Sequence, residues 1–283
     1  MSADYYNRVQ LNSTHYKKNI MHKYLDIVDH RSLMITLPCI AVTWICLRLG
    51  ISYNVDLIIF SIAIIFPLVF TIREAFRRRQ NAIKLLSTLK ASISAFYFSL
   101  ENSNKLTREE KLQVHEMMNG LSQTFIQELK HRNNDKISQV REQIRNIYVF
   151  VDTNRNSISN NTSLKLIRLV QDIQEAVENL NGIKIHGTPV SLRAYCLVFI
   201  YILPFIFTPT LVYNLSSHPV WLIYVLSVLH GFILMSLYNL QEHIEDPFDQ
   251  MGLDDIKLVE FQFRESESPV ANKPEAAEAP SQS

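Results

Sequence analysis

Four aspartates crowd the stretch "HIEDPFDQMGLDDIKL": Asp246, Asp249, Asp254 and Asp255. Carboxylates at this density can accept backbone N–H bonds where the chain turns, pair with arginines, or bind calcium through hard oxygens. Pro247 cannot extend a helix and pushes Asp246 toward extended geometry, so a turn is forced here. Structural capping is therefore the first reading of these aspartates and calcium binding the second. Glu242, His243 and Glu245 are donor types that suit a transition metal, but neighbours on a helix point in different directions, so no shared metal sphere is expected. Arg73 and Arg77 follow directly on an apolar run. Stacked arginines favour anions, while the same run also reads as a topology anchor that meets lipid phosphates. The chain carries no nucleotide loop, zinc ligand set, nucleophile motif or His-Glu-x-x-His pattern, so the reading is not an enzyme, and no cofactor is expected.

The elements that must position these groups follow from where the apolar residues lie. They concentrate in Leu33 to Ile72 and in Leu192 to Leu240, with a polar stretch rich in Lys, Arg, Glu, Gln and Asn between. Each block reads as a hairpin. The first joins "LMITLPCIAVTWICLRLG" to "LIIFSIAIIFPLVFTI", and the second joins "AYCLVFIYILPFIFTPTLVY" to "VWLIYVLSVLHGFILMSLYNL". Each strand of a hairpin is long enough to cross most of a hydrocarbon core, which gives four transmembrane helices. A soluble bundle with four buried helices is the weaker alternative, because soluble core helices seldom run this far without a charge.

Basic residues flank the first hairpin (Lys17, Lys18, Lys23 and Arg31 before it, Arg73 to Arg79 and Lys84 after it), whereas the short connections offer only Arg48. The positive-inside rule then places both termini and the middle on the cytoplasmic side of a multi-pass cell-membrane protein. The polar opening residues hold no signal-peptide core, so insertion is expected through the first helix. The balance of 28 Lys+Arg against 27 Asp+Glu, a net charge of +1, gives no reason to expect nucleic acid as a partner. Membrane lipid is the expected one. The cysteines Cys39, Cys46 and Cys196 all lie in apolar stretches without metal-ligand spacing and read as packing residues.

The middle is all-α. "AFRRRQNAIKLLSTLKASISAFYFSL" continues the second membrane helix; Thr107 and Glu110 have capping-box spacing ahead of a further helix. Two amphipathic helices follow, the second expected to end at Gly182. The tail "ESESPVANKPEAAEAPSQS" has no apolar period and reads as disordered. The expected organisation is a cytoplasmic segment over 1–32, a transmembrane hairpin over 33–72, a cytoplasmic helical region over 73–190, a second hairpin over 191–240, an acidic cytoplasmic turn and segment over 241–264, and a disordered tail over 265–283.

The acidic stretch resembles the Ile-Glu-Asp-Pro-Phe-Gly signature of the bestrophin-like membrane channels, particularly the bacterial branch, with Asp249 where that family usually has Gly. Three further stretches fit the family in order. "LVFTIREAFRRRQNAIKLL" is similar to the end of its second membrane helix, retaining Phe70, Ala75, an aromatic at Phe76, and Arg78. "HGTPV" resembles the Thr-Pro-Ile-Pro before its third helix, and "IYILPF" the Leu-Pro-Phe within it. The resemblance covers roughly residues 20–260.

It implies an all-α homopentamer around a central ion pathway, with the second membrane helix forming a hydrophobic neck, and points to a bacterial inner membrane. Ile62, Phe66 and Phe70 match the family's neck positions. They recur every four residues, a slowly drifting stripe at about 100° per residue, and five copies would stack into apolar rings able to gate by dewetting. As residues alone they read equally as ordinary lipid- or helix-facing side chains. Arg73 and Arg77 continue the stripe, so chloride or a similar anion is the expected permeant ion. A cation-conducting homologue, or a non-conducting scaffold or sensor, is the alternative. Val190 falls where the family narrows again as a cytoplasmic aperture. Relatives in animals hold a calcium clasp at the acidic stretch; here Gln250 and Met251 interrupt the acidic run, leaving Asp254 with Asp255.

Overall fold

A computed structural model describes residues 30–103, 106–131, 136–250 and 255–263. Residues 1–29, Asp254 and the tail over 265–283 lie outside them. Among the described residues there are no strands. The chain forms α1 (His30–Met34), α2 (Thr36–Leu49), α3 (Leu57–Glu101), α4 (Arg108–Lys130), α5 (Ile137–Thr153), α6 (Asn160–Ile185), α7 (Val190–Asn214), α8 (Val220–Glu245) and a 3-10 turn at Leu258–Phe261. Among the described residues four stretches are long and apolar enough to cross a membrane; they include α1 with α2, α3, α7 and α8.

The chain divides into two compact units. The first holds α1, α2, α3 as far as Gln80, α7 and α8. Here α2, α7 and α8 pack against one another. Cys39, Leu68, Ile200 and Met235 lie in its core. Because these helices are apolar on every side, packing selects which face is buried, and small residues allow the closest approach. Gly231 on α8 is one such place, since a Cβ there would stand 2.7 Å from Cys39 Sγ. Gly50 ends α2 with φ 65, and its N–H reaches the Cys46 carbonyl, a left-handed cap that glycine adopts without strain.

Pro38 lies in the first turn of α2, and prolines lie deeper inside two other helices: Pro67 in α3, and Pro204 and Pro209 in α7. A proline has no N–H to give the carbonyl four residues back, and an open carbonyl is costly where water is absent. For Pro67 that carbonyl is Ala63, which accepts from the Tyr195 hydroxyl at 3.3 Å. For Pro209 it is Phe205, which accepts from Tyr53 at 3.1 Å.

The second unit holds α3 from Asn81 onward, α4, α5 and α6, with Phe248–Gln250 and the residues from Ile256. Its helices are amphipathic. Ile137, Val140, Ile144, Ile147 and Val151 bury one face of α5, the i, i+3, i+4, i+7 spacing of a helix that hides a single stripe. They share a core with Phe96, Phe125 and Val170, and each fully buried side chain of this size contributes about 2 kcal/mol. Phe248, Leu258 and Phe263 join that core. The Phe263 N–H donates to Ser122 Oγ at 2.9 Å.

Thr107 caps α4 in the expected capping box: its side chain accepts from the Glu110 N–H at 3.3 Å, and its own N–H donates to Glu110 Oε2 at 2.7 Å. The expected end of α6 at Gly182 is corrected, because the helix runs on to Ile185. Its last turn carries Lys184, whose ammonium is buried and donates to both Glu128 Oε1 and the Glu128 carbonyl at 2.6 Å. That pair holds the turn helical against the cost of about 1 kcal/mol that glycine imposes.

Candidate functional site

α3 buries one side and leaves another open. Ile64 and Leu68 are 2% and 1% exposed, while Ile62, Phe66 and Phe70 are 58%, 59% and 44% exposed. The open side forms an apolar groove lined by Leu57, Ile58, Ser61, Ile62, Ile65, Phe66 and Val69. The Phe66 and Phe70 rings meet edge to face with centroids 4.5 Å apart. Arg73 and Arg77 follow on the same helix, both exposed, and Arg77 Nη1 stands 3.6 Å from Glu74 Oε1. The stripe is therefore a continuous surface of α3 that its own bundle does not cover, with two guanidiniums and one carboxylate at its end.

A second constellation lies at the end of α8. The helix continues past Leu240, where the apolar run stops, because Gln241, Ile244 and Glu245 are buried. Asp246 then adopts extended geometry, φ −103 and ψ 98, ahead of Pro247. The Glu245 carboxylate is closely held. Oε1 accepts from the Thr188 N–H at 2.8 Å; Oε2 accepts from Arg193 Nη1 and from Gln241 Nε2, each at 3.0 Å. Arg78 Nη1 stands 4.0 Å from Oε1. Burial lowers the Arg78 guanidinium from its ordinary value, with Glu245 and Asp246 pulling it back up; an arginine remains charged throughout. The fit is close, since a Cβ at Gly187 would sit 2.7 Å from Glu245 Oε1. Breaking a buried ion pair of this kind typically costs about 3–5 kcal/mol, because the surviving charge is left without its partner.

The expected site residues thus fall in different places. Ile62, Phe66, Phe70, Arg73 and Arg77 share one helix. Val190 opens α7 with Pro189 as its cap and is 71% exposed, two residues from the amide that Glu245 holds. Asp246 ends α8, Asp249 is exposed and Asp255 is half-buried. Among the described residues no group of three or more His, Cys, Asp or Glu side chains is placed to hold a metal ion. Glu242 and Glu245 point to different partners, Glu242 pairing with Arg31 at 2.7 Å. Sequence reasoning missed the clamp of Glu245, Arg193, Gln241 and the Thr188 amide. Its signal was present: a glutamate next to Asp-Pro-Phe, and an arginine four residues after Thr-Pro.

No family model matches the sequence, and no curated protein matches it. Solved structures do match in fold. A bacterial bestrophin homologue from Klebsiella pneumoniae aligns with a TM-score of 0.66 at 15% identity, covering 85% of this chain and 94% of that one. A second structure of a bacterial bestrophin homologue from the same organism gives 0.65 at 16%, covering 86% and 93%. A structure described as a membrane protein gives 0.68 at 17%, covering 83% and 94%. The chain has the bestrophin fold. Nearly the whole length of each bestrophin homologue is matched, so the fold includes both units. At 15–17% identity the likeness is one of fold.

Proposed function

We propose that this chain is a bestrophin-type ion channel that passes anions such as chloride passively through a homopentameric pore. The observation that carries the reading is the open stripe of α3, where three large apolar side chains at four-residue spacing remain 44% to 59% exposed beside almost fully buried neighbours on the same helix. Five such stripes facing inward make a hydrophobic neck, which conducts when wetted and closes when dry. Arg73 and Arg77 stand at the cytoplasmic end of that neck and concentrate anions. Val190 forms the second constriction. The second unit, both chain termini and the acidic segment lie on the cytoplasmic side of a bacterial inner membrane. Asp246, Asp249 and Asp255 serve the turn after α8, with Asp246 adding negative charge beside Arg78.

A cation-conducting channel is the second reading, favoured by Glu74, whose carboxylate lies 3.6 Å from Arg77 and offsets its charge. Purified protein in planar bilayers under asymmetric potassium chloride separates the two. The reversal potential moves toward that of chloride in the anion reading, and Arg77→Glu shifts it back. A reversal potential at that of potassium, unchanged by Arg77→Glu, selects the cation reading. A stable monomer in detergent excludes a pore made from one helix per subunit and leaves a non-conducting scaffold.

A further inference from the structure

Pro67 and Pro209 share one arrangement. Each leaves open the carbonyl four residues before it, and a tyrosine hydroxyl from outside that helix closes the opening: Tyr195 on Ala63 at 3.3 Å, and Tyr53 on Phe205 at 3.1 Å. The Tyr53 case lies at one end of α7. The Tyr195 case lies inside the stripe of α3, where Pro67 separates Phe66 from Phe70. Tyr195 is itself held, its ring lying 4.3 Å from Phe199, one turn further along α7.

A proline inside a helix removes the bond that fixes the preceding turn and makes that turn a joint. In an apolar setting the orphaned carbonyl must find another donor. We propose that the Tyr195 hydroxyl is the positioning group of the neck: by closing the Ala63 carbonyl it fixes the α3 backbone across Pro67 and so sets the relative placement of Phe66 and Phe70. The proposal rests on the channel reading for its functional consequence, and on the proline, carbonyl and hydroxyl geometry alone for its structural one. Tyr195 does not line the neck; it acts through α3. The repeat at Tyr53 and Pro209 shows the same solution reached at an independent site.

The test is a double-mutant cycle on the full-length protein. Tyr195→Phe removes the hydroxyl and keeps the ring. Pro67→Ala returns an N–H to the Ala63 carbonyl and makes the hydroxyl redundant. Losing one neutral hydrogen bond shifts a two-state equilibrium by about threefold to tenfold. Tyr195→Phe is therefore expected to change the open fraction in bilayer recordings by about that factor, and to change it by less than about 1.5-fold when Pro67→Ala is already present.

A second readout does not depend on current. The three cysteines are buried, so spin labels attached to Ile58→Cys and Phe76→Cys, at two exposed positions, report the distance across Pro67 when labelled chains are diluted with unlabelled ones. That distribution should broaden in Tyr195→Phe and return to its original width once Pro67→Ala is added. A changed distance distribution in a protein that carries no current overturns the channel reading and leaves the positioning role of Tyr195 standing. Unchanged open fraction and unchanged distances in Tyr195→Phe overturn the proposal, as does an equal effect with and without Pro67.

Discussion

The two units answer opposite demands with the same material. In the second, amphipathic helices turn one apolar stripe inward, and the charged residues of α5 and α6 stay outside except Lys184, which is paired with Glu128. In the first, helices that are apolar all round leave Trp44, Ile58, Ile62, Phe66 and Trp221 more than half exposed. A water-facing surface rarely carries so much contiguous apolar area, whereas a helix destined for lipid or for a neighbouring subunit does. Among the described residues each unit also buries one carboxylate. Glu128 is 1% exposed and is held by Lys184 and by the Lys136 N–H at 2.9 Å, tying α4 to α6 within a closed core. Glu245 ties the end of α8 to the loop just before Val190. One carboxylate locks a core; the other locks a place where the chain turns.

The sharpest way to break this contrast is to remove the buried charge from the closed core. Glu128→Ala strands Lys184 and should lower stability by about 3–5 kcal/mol in a denaturant titration in detergent, whereas Glu128→Leu combined with Lys184→Met should recover most of that loss. A smaller effect is expected between apolar helices. Gly231→Ala drives a methyl onto Cys39 Sγ and should cost about 1–3 kcal/mol by overpacking, read as a lowered thermal midpoint and relieved by adding Cys39→Ala.

The smallest effect belongs to the surface of the second unit. Arg141 Nε and Nη2 donate to the two Glu178 oxygens at 2.7 and 2.8 Å, yet both side chains are well exposed, at 52% and 39%, so Arg141→Gln should cost less than about 1 kcal/mol. The hydrogen bonds from Arg141 hold the Glu178 carboxyl below its usual range. A carboxylate whose folded pKa is depressed contributes stability above its unfolded pKa and loses it as pH falls through the folded one. The difference between Arg141→Gln and the parent should therefore be full at neutral pH and vanish under acid conditions, below the ordinary glutamate range of about 4.3.

Much of the fold was legible because hydropathy and helix period speak directly. The apolar blocks gave four spanning-length helices, "AFRRRQNAIKLL" read as a continuation of the second, and Thr107 with Glu110 announced the start of α4. The Asp-Pro-Phe stretch pointed to the bestrophin fold although no family model matches the sequence. What the sequence reading misplaced depends on partners distant along the chain. Gly182 looks like a stop until Lys184 is seen to need a helical turn to reach Glu128. Leu240 looks like an end until Glu245 is found clamped by Arg193 and Thr188, more than 50 residues earlier along the chain. The stripe of Ile62, Phe66 and Phe70 was visible as a period, but only packing separates it from Ile64 and Leu68, which are equally apolar and fully buried.

The central claim is that this stripe meets water and ions in the assembled protein. Phe66→Cys, recorded in a planar bilayer while a charged, water-soluble thiol reagent is added, tests it most directly, because the native cysteines are buried. Current through the variant and its rapid loss on modification are expected, since a charged group would then stand in the neck. A conducting variant that the reagent leaves untouched would place Phe66 against lipid and contradict the claim.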